Sequence, residues 1–142
     1  MAGGSMTRWS AAFVASGAVY IAGDLSWITV TAPTLYRPVI GPLMAQTMDV
    51  RAGVAFYLIY IVGILAFGVA SGLRACAWTR ALASGALFGL VAYATYDLTN
   101  QATLRVWSTQ ISVIDIAWGA GITALASTAG YLAAARLSTK AA

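Results

Sequence analysis

Four long apolar stretches constrain the fold of this chain more than any other feature. They lie at about residues 9–31, 52–73, 81–103 and 107–135. Each is close to the roughly 20 residues that a helix needs to cross about 30 Å of hydrocarbon. The stretches are rich in alanine and do not alternate strictly, and a membrane barrel would need many more segments. The pattern therefore predicts an all-α integral membrane protein, a four-transmembrane-helix bundle that forms a single domain over residues 1–142.

Composition supports a membrane protein over a soluble one. The chain is 61% hydrophobic and only 8% charged, with a mean hydropathy of +0.81, whereas soluble domains carry about 25% charged residues. There is no His and no Glu, and the single Cys76 excludes an internal disulfide and a cysteine-based metal cluster. The basic residues are scattered over loops and chain ends, a distribution that indicates topology and not nucleic-acid binding.

The positions of the basic residues indicate an orientation. With the N-terminus inside, five of them fall on the inner side and three on the outer side: Arg8, Arg74, Arg80, Arg136 and Lys140 against Arg37, Arg51 and Arg105. This excess predicts that both termini are cytoplasmic, in a multi-pass protein of the cell inner membrane. Segment 32–51 is then an outer loop, which we expect to connect two helices along the membrane surface, with a functional lid as the alternative.

Three aspartates inside the apolar stretches are the candidates for a functional site. An ionisable side chain in hydrocarbon costs at least about 2.5–3.5 kcal/mol, so it is seldom accidental. Counted at 1.5 Å per residue, Asp24, Asp97 and Asp115 all fall at similar depth in the outer half of the membrane. No Lys or Arg lies at that depth. The three carboxylates therefore need a proton, a cation or water to balance their charge.

The residues around two of these aspartates repeat the same spacing. Tyr93 and Asn100 flank Asp97 at i, i+4 and i+7, and Asp24 has equivalent neighbours after a shift of 73 residues. This hints at a parallel repeat, with chance similarity as the alternative. The predicted ligand-binding pocket consists of the acids and the polar or aromatic residues expected at their level: Asp24, Trp27, Tyr57, Tyr60, Tyr93, Tyr96, Asp97, Asn100, Asp115 and Trp118.

Several functions are compatible with such a pocket. The leading hypothesis is binding of a small ligand or cation, with transport of that ligand or of protons as an extension. The second is an accessory or structural subunit of a membrane assembly, in which the acids are interhelical hydrogen bonds. The third is an intramembrane acid/base enzyme, for which the absence of His, of a nucleophilic Ser motif and of a thiolate leaves little support and no catalytic residue.

The possible ligands and partners follow from the same residues. A hard metal ion such as Ca²⁺ would use Asp24, Asp97 and Asp115, and we rank it below a proton-sharing cluster because the spacing matches no known coordination loop. The sequence specifies no cofactor. The lipid bilayer is the expected surrounding, and small residues such as Gly85 and Gly89 favour close helix packing, a homo-oligomer or a membrane partner protein.

Four blocks of sequence carry a resemblance to a known family: Asp24-Leu-Ser-Trp27, Leu35-Tyr-Arg-Pro-Val-Ile-Gly-Pro-Leu-Met44, Tyr96-Asp-Leu-Thr-Asn-Gln-Ala-Thr-Leu104 and Asp115-Ile-Ala-Trp-Gly119. In these blocks the chain resembles domain-of-unknown-function family 2177, a family of small bacterial inner-membrane proteins. The resemblance covers nearly the whole chain after the first few residues. It implies a four-helix membrane bundle and brings no activity with it.

Overall fold

The computed structural model describes residues 2–139, with side-chain burial described from residue 5 to residue 137. Lys140, which the charge count places on the inner side, lies outside the described residues. All regular elements between residues 2 and 139 are helical: α1 (Ala2–Thr31), a π-helical segment (Ala32–Tyr36), α2 (Arg37–Ile40), a 3-10 turn (Gly41–Leu43), α3 (Val50–Gly63), a second π-helical segment (Ile64–Val69), α4 (Ala70–Ala75), α5 (Trp78–Thr103) and α6 (Thr109–Thr139).

Four stretches of these helices are long and apolar enough to cross a membrane. In chain order they are Ser5–Leu43, Val50–Ala75, Trp78–Thr103 and Thr109–Leu137, and we refer to them as the first to fourth spans. The prediction of an all-helical chain with four candidate membrane spans is therefore confirmed.

The segment expected to be an outer loop differs from the prediction over most of its length. Residues 32–51 remain helical as far as Leu43, and an irregular connection follows up to Asp49. The three prolines explain this difference, because each lies at the first or second position of a new short helical segment: Pro33, Pro38 and Pro42. Proline lacks a backbone N–H and is tolerated at those positions, so the helix changes its winding and does not end.

Asp49 marks the start of the second span. Its side-chain oxygen accepts hydrogen bonds from the backbone N–H groups of Arg51 at 2.9 Å and Ala52 at 3.3 Å. An aspartate in this position satisfies N–H groups that have no partner within the helix. The fourth acidic residue of the chain is therefore a helix cap, and it is exposed to solvent.

Close packing of α5 on α6 holds the bundle together on one side. Both Gly85 and Gly89 are buried in this contact, and a Cβ built on Gly85 would lie 2.9 Å from the backbone oxygen of Thr123. A Cβ on Gly89 would collide with the backbone oxygen of Gly119. Because α6 packs against α1 as well as α5, side chains of α6 face both the first and the third spans.

Candidate functional site: a buried layer of carboxylates and hydroxyls

Asp24 accepts hydrogen bonds from two other spans. The residue is 6% exposed; one carboxylate oxygen accepts from the Tyr57 hydroxyl at 2.7 Å and the other from the Tyr93 hydroxyl at 3.3 Å. The Tyr93 hydroxyl is also 2.9 Å from the hydroxyl of Tyr20. Since Tyr93 has one hydrogen, which it gives to Asp24, Tyr20 donates to Tyr93. We call these four residues the Asp24 cluster.

The contact between Tyr20 and Tyr93 joins the two residues that the 73-residue shift makes equivalent. Tyr20 is fully buried, and Tyr60 stacks on it with ring centroids 4.5 Å apart. The Tyr60 hydroxyl hydrogen bonds to the Thr123 hydroxyl at 2.9 Å and not to a carboxylate. Tyr60 therefore supports the Asp24 cluster through ring packing.

Asp115 is the centre of a second cluster. It is 7% exposed, and one of its oxygens accepts hydrogen bonds from the Tyr36 hydroxyl at 2.6 Å and from the Trp27 indole nitrogen at 3.1 Å. The Trp27 ring stacks on Trp118 with centroids 4.5 Å apart and planes inclined by 7°. We call Asp115, Trp27 and Tyr36 the Asp115 cluster.

Asp97 differs from the other two buried aspartates. Its side chain is 0% exposed, and neither carboxylate oxygen has a hydrogen-bond partner in the described part of the chain. It lies within electrostatic range of Asp115, which in turn lies within range of Asp24. An unpaired carboxylate charge that is fully buried within a membrane span is very costly, so Asp97 requires a proton or a small cation to balance its charge.

A third set of polar side chains, beyond Asp97, connects the end of α5 to the start of α6. The Ser112 hydroxyl donates to the Gln101 side-chain oxygen at 2.7 Å and accepts from the Trp107 indole nitrogen at 3.0 Å. The Gln101 side-chain nitrogen donates to the Thr109 hydroxyl at 3.0 Å. We call these four residues the turn network. Gln101 lies four residues after Asp97 on α5, so both side chains are on the same helix face.

Two residues of the predicted pocket belong to neither cluster. Tyr96 is 58% exposed, and its ring packs edge-on against Trp107 at 5.7 Å. The Asn100 side chain interacts with the Tyr96 hydroxyl. The structure thus gathers the other predicted side chains into or next to the two clusters. Tyr96 is exposed and Asn100 is half-buried, although the Tyr96 hydroxyl lies within electrostatic range of Asp97 and Asp115.

The predicted pocket left out three residues that the structure places in the two clusters or in the turn network. Tyr36 lies in the segment expected to be a loop, and nothing in the pattern indicated that it reaches Asp115. Gln101 was detectable from its spacing of four residues to Asp97. Tyr20 has the same spacing to Asp24 and was recognised as part of the repeated pattern, but it was not included in the predicted pocket.

The arrangement does not favour a metal centre or a large ligand. Among the described residues, no group of three or more Asp, Glu, His or Cys side chains is close enough to hold one metal ion. The two best-defined cavities, of about 330 and 280 Å³, are lined by none of the three buried aspartates. The larger lies between the first and second spans, is mostly apolar and includes Tyr57 in its wall.

Four apolar spans around a buried layer of carboxylates and hydroxyls define a small helical membrane protein with a polar interior. The model of the family described as "Predicted membrane protein (DUF2177)" matches residues 9–132. The chain belongs to this family. No curated protein and no solved structure matches the chain. The family description gives a membrane location and no activity, so the function has to be argued from the site itself.

Proposed function

We propose that this protein binds a proton at Asp97 and passes it between the buried clusters and the end of the bundle where α5 and α6 meet. The observation that carries the proposal is the carboxyl group of Asp97, which is fully buried and has no hydrogen-bond partner among the described residues. A carboxyl group in that position binds a proton or a small cation, because its unpaired ionised form is very costly there. Intramembrane acids of this kind are typical of proton relays.

The cavities and the other two aspartates indicate that Asp97 binds a proton and not an organic ligand. A proton needs no cavity, whereas neither of the two best-defined cavities of the described structure is lined by a buried aspartate. The other two aspartates already accept hydrogen bonds from tyrosine and tryptophan donors, so Asp97 is the group that remains open to exchange. A small monovalent cation is the remaining ligand of suitable size.

The turn network supports access from one end of the bundle. Asp97 lies six residues before the end of α5 at Thr103, which is about 9 Å at 1.5 Å per residue. Gln101 and Ser112 lie between Asp97 and the turn that follows α5, and both carry groups that hydrogen bond. In our proposal the proton reaches Asp97 from this end of the bundle, past these polar side chains.

The orientation belongs to the same proposal. With both termini in the cytoplasm of a bacterial inner membrane, as the excess of basic residues favours, the turn network faces outward and Asp97 lies in the outer half of the bilayer. Proton entry would then be from the outside.

Proton flux into liposomes tests this function. The protein is reconstituted with a pH-sensitive dye inside the vesicles, and a membrane potential is imposed. We expect flux with the natural chain and none with Asp97→Asn, a change that keeps the shape of the side chain and removes the exchangeable proton. Asp49→Asn is the matched control, because Asp49 is exposed and Asn is equally suited to a helix N-cap. Equal flux for Asp97→Asn and the natural chain would refute the proposal.

An accessory subunit is the second candidate, and one observation favours it. The Asp24 and Asp115 carboxylates are hydrogen bonded across spans, which is what a purely structural role requires. In that case a partner protein should co-purify in a fixed ratio in mild detergent. Asp97 does not fit this explanation, because it makes no such bond with any described residue.

A further inference from the structure

A second cavity lies at the opposite end of the bundle from the clusters. It has a volume of about 280 Å³ and is lined by residues near the start of the first span and the ends of the second and fourth: Arg8, Leu73, Cys76, Tyr131 and Ala135. The Arg8 side-chain Nε is buried and has no hydrogen-bond partner within the described residues. Arg8 as a whole is half-buried, and the unused hydrogen on its buried Nε favours an anionic acceptor at this position.

The charges of the chain are divided between the two ends. Arg74 and Arg80 are exposed near the turn between the second and third spans, at the same end as the cavity. All four acidic residues of the chain lie in the other half of the molecule: Asp24, Asp49, Asp97 and Asp115. The cavity therefore lies at the basic end of the described structure, and no Asp or Glu side chain lies in that half to compete for Arg8.

We propose that this cavity binds the phosphate group of an anionic membrane lipid. Arg8 donates to the phosphate, Tyr131 supplies a second donor, and Leu73 and Ala135 contact the apolar part of the lipid next to its headgroup. A lipid is favoured over a free anion because the cavity combines these donors with apolar walls at the end of the spans, the depth at which lipid headgroups lie. Basic pockets between membrane helices bind such headgroups in this way. The proposal does not depend on proton exchange at Asp97.

Native mass spectrometry of the full chain in detergent tests the lipid site. The probes are phosphatidylglycerol, phosphatidylcholine and inorganic phosphate, each titrated separately. We expect one phosphatidylglycerol to be retained about tenfold more tightly than phosphatidylcholine, and Arg8→Gln to weaken its binding about tenfold through loss of a charge-assisted bond. Tyr131→Phe should weaken it several-fold. Arg105→Gln is the matched control, because Arg105 is an exposed arginine at the other end of the bundle, and it should leave binding unchanged.

Three results would overturn the lipid site. One is equal affinity for the two lipids, and another is wild-type affinity for phosphatidylglycerol in Arg8→Gln. The third is equally tight binding of inorganic phosphate, which would assign the cavity to a free anion. If circular dichroism shows that Arg8→Gln does not fold, the affinity of Tyr131→Phe for phosphatidylglycerol tests the lipid site instead. Wild-type affinity in that variant contradicts the proposal.

Discussion

Tyr57 shows what a single hydroxyl contributes in the membrane interior. It lies in the second span and donates to Asp24 in the first, at 2.7 Å. We expect Tyr57→Phe to lower the free energy of unfolding by about 1–3 kcal/mol, because a buried carboxylate oxygen then loses its donor. The measurement is unfolding in mixed micelles, followed by tryptophan fluorescence.

A second tyrosine provides the control for that measurement. Tyr96 is exposed; its ring packs against Trp107, and its hydroxyl interacts with Asn100 on the same helix. We expect Tyr96→Phe to change the free energy of unfolding by no more than about 0.5 kcal/mol. If both variants lose the same stability, the hydrogen bond to Asp24 is not the cause.

At the scale of helices, the contact between α5 and α6 depends on glycine. Gly89→Ala places a methyl group against the backbone oxygen of Gly119. We expect this change to lower the free energy of unfolding by about 1–3 kcal/mol, the usual cost of overpacking. Backbone oxygen cannot move aside as the end of a flexible side chain can, so α5 itself has to shift.

Gly121 on α6 is the matched control for Gly89, since a Cβ there meets nothing within 4 Å. Alanine has a higher helix propensity than glycine by about 1 kcal/mol, so Gly121→Ala should be neutral or stabilising in the same unfolding assay. A loss of stability in Gly121→Ala similar to that in Gly89→Ala would show that glycine matters for backbone flexibility and not for close approach.

Helix geometry also explains what the sequence could and could not predict. The similar depth of the three aspartates stays a prediction that rests on counting residues, because the rise per residue of a helix is constant. Tyr96 entered the predicted pocket beside Asp97, although neighbours on a helix point about 100° apart, and the structure places it on the outer surface. Tyr36 was missed because three prolines suggested a loop, whereas each begins a new helical segment.

The hydrogen bonds of each aspartate could not be predicted at all. Asp24, Asp97 and Asp115 have the same chemistry, and yet two accept bonds and one accepts none within the described structure. Which donors reach a carboxylate depends on how the spans are rotated against one another. That rotation depends on packing across the bundle, which no local pattern encodes.

At the scale of the whole molecule, the proposed role of Asp97 implies that this residue lowers the free energy of unfolding. A fully buried carboxyl group without a partner opposes folding, and proteins retain such groups where function needs them. Asp97→Leu keeps a side chain that branches at the same carbon and removes the polar atoms. We expect it to raise the free energy of unfolding by about 1–3 kcal/mol, while proton flux is lost.

Asp24→Leu distinguishes this prediction from a general preference for apolar residues in the interior. That change leaves the hydroxyls of Tyr57 and Tyr93 without their acceptor, so we expect it to lower the free energy of unfolding by about 1–3 kcal/mol. Opposite signs for two buried aspartates in one bundle would separate a structural carboxylate from a functional one. If Asp97→Leu also destabilised the protein, Asp97 would be a structural contact, and the accessory-subunit explanation would then account for all three buried aspartates.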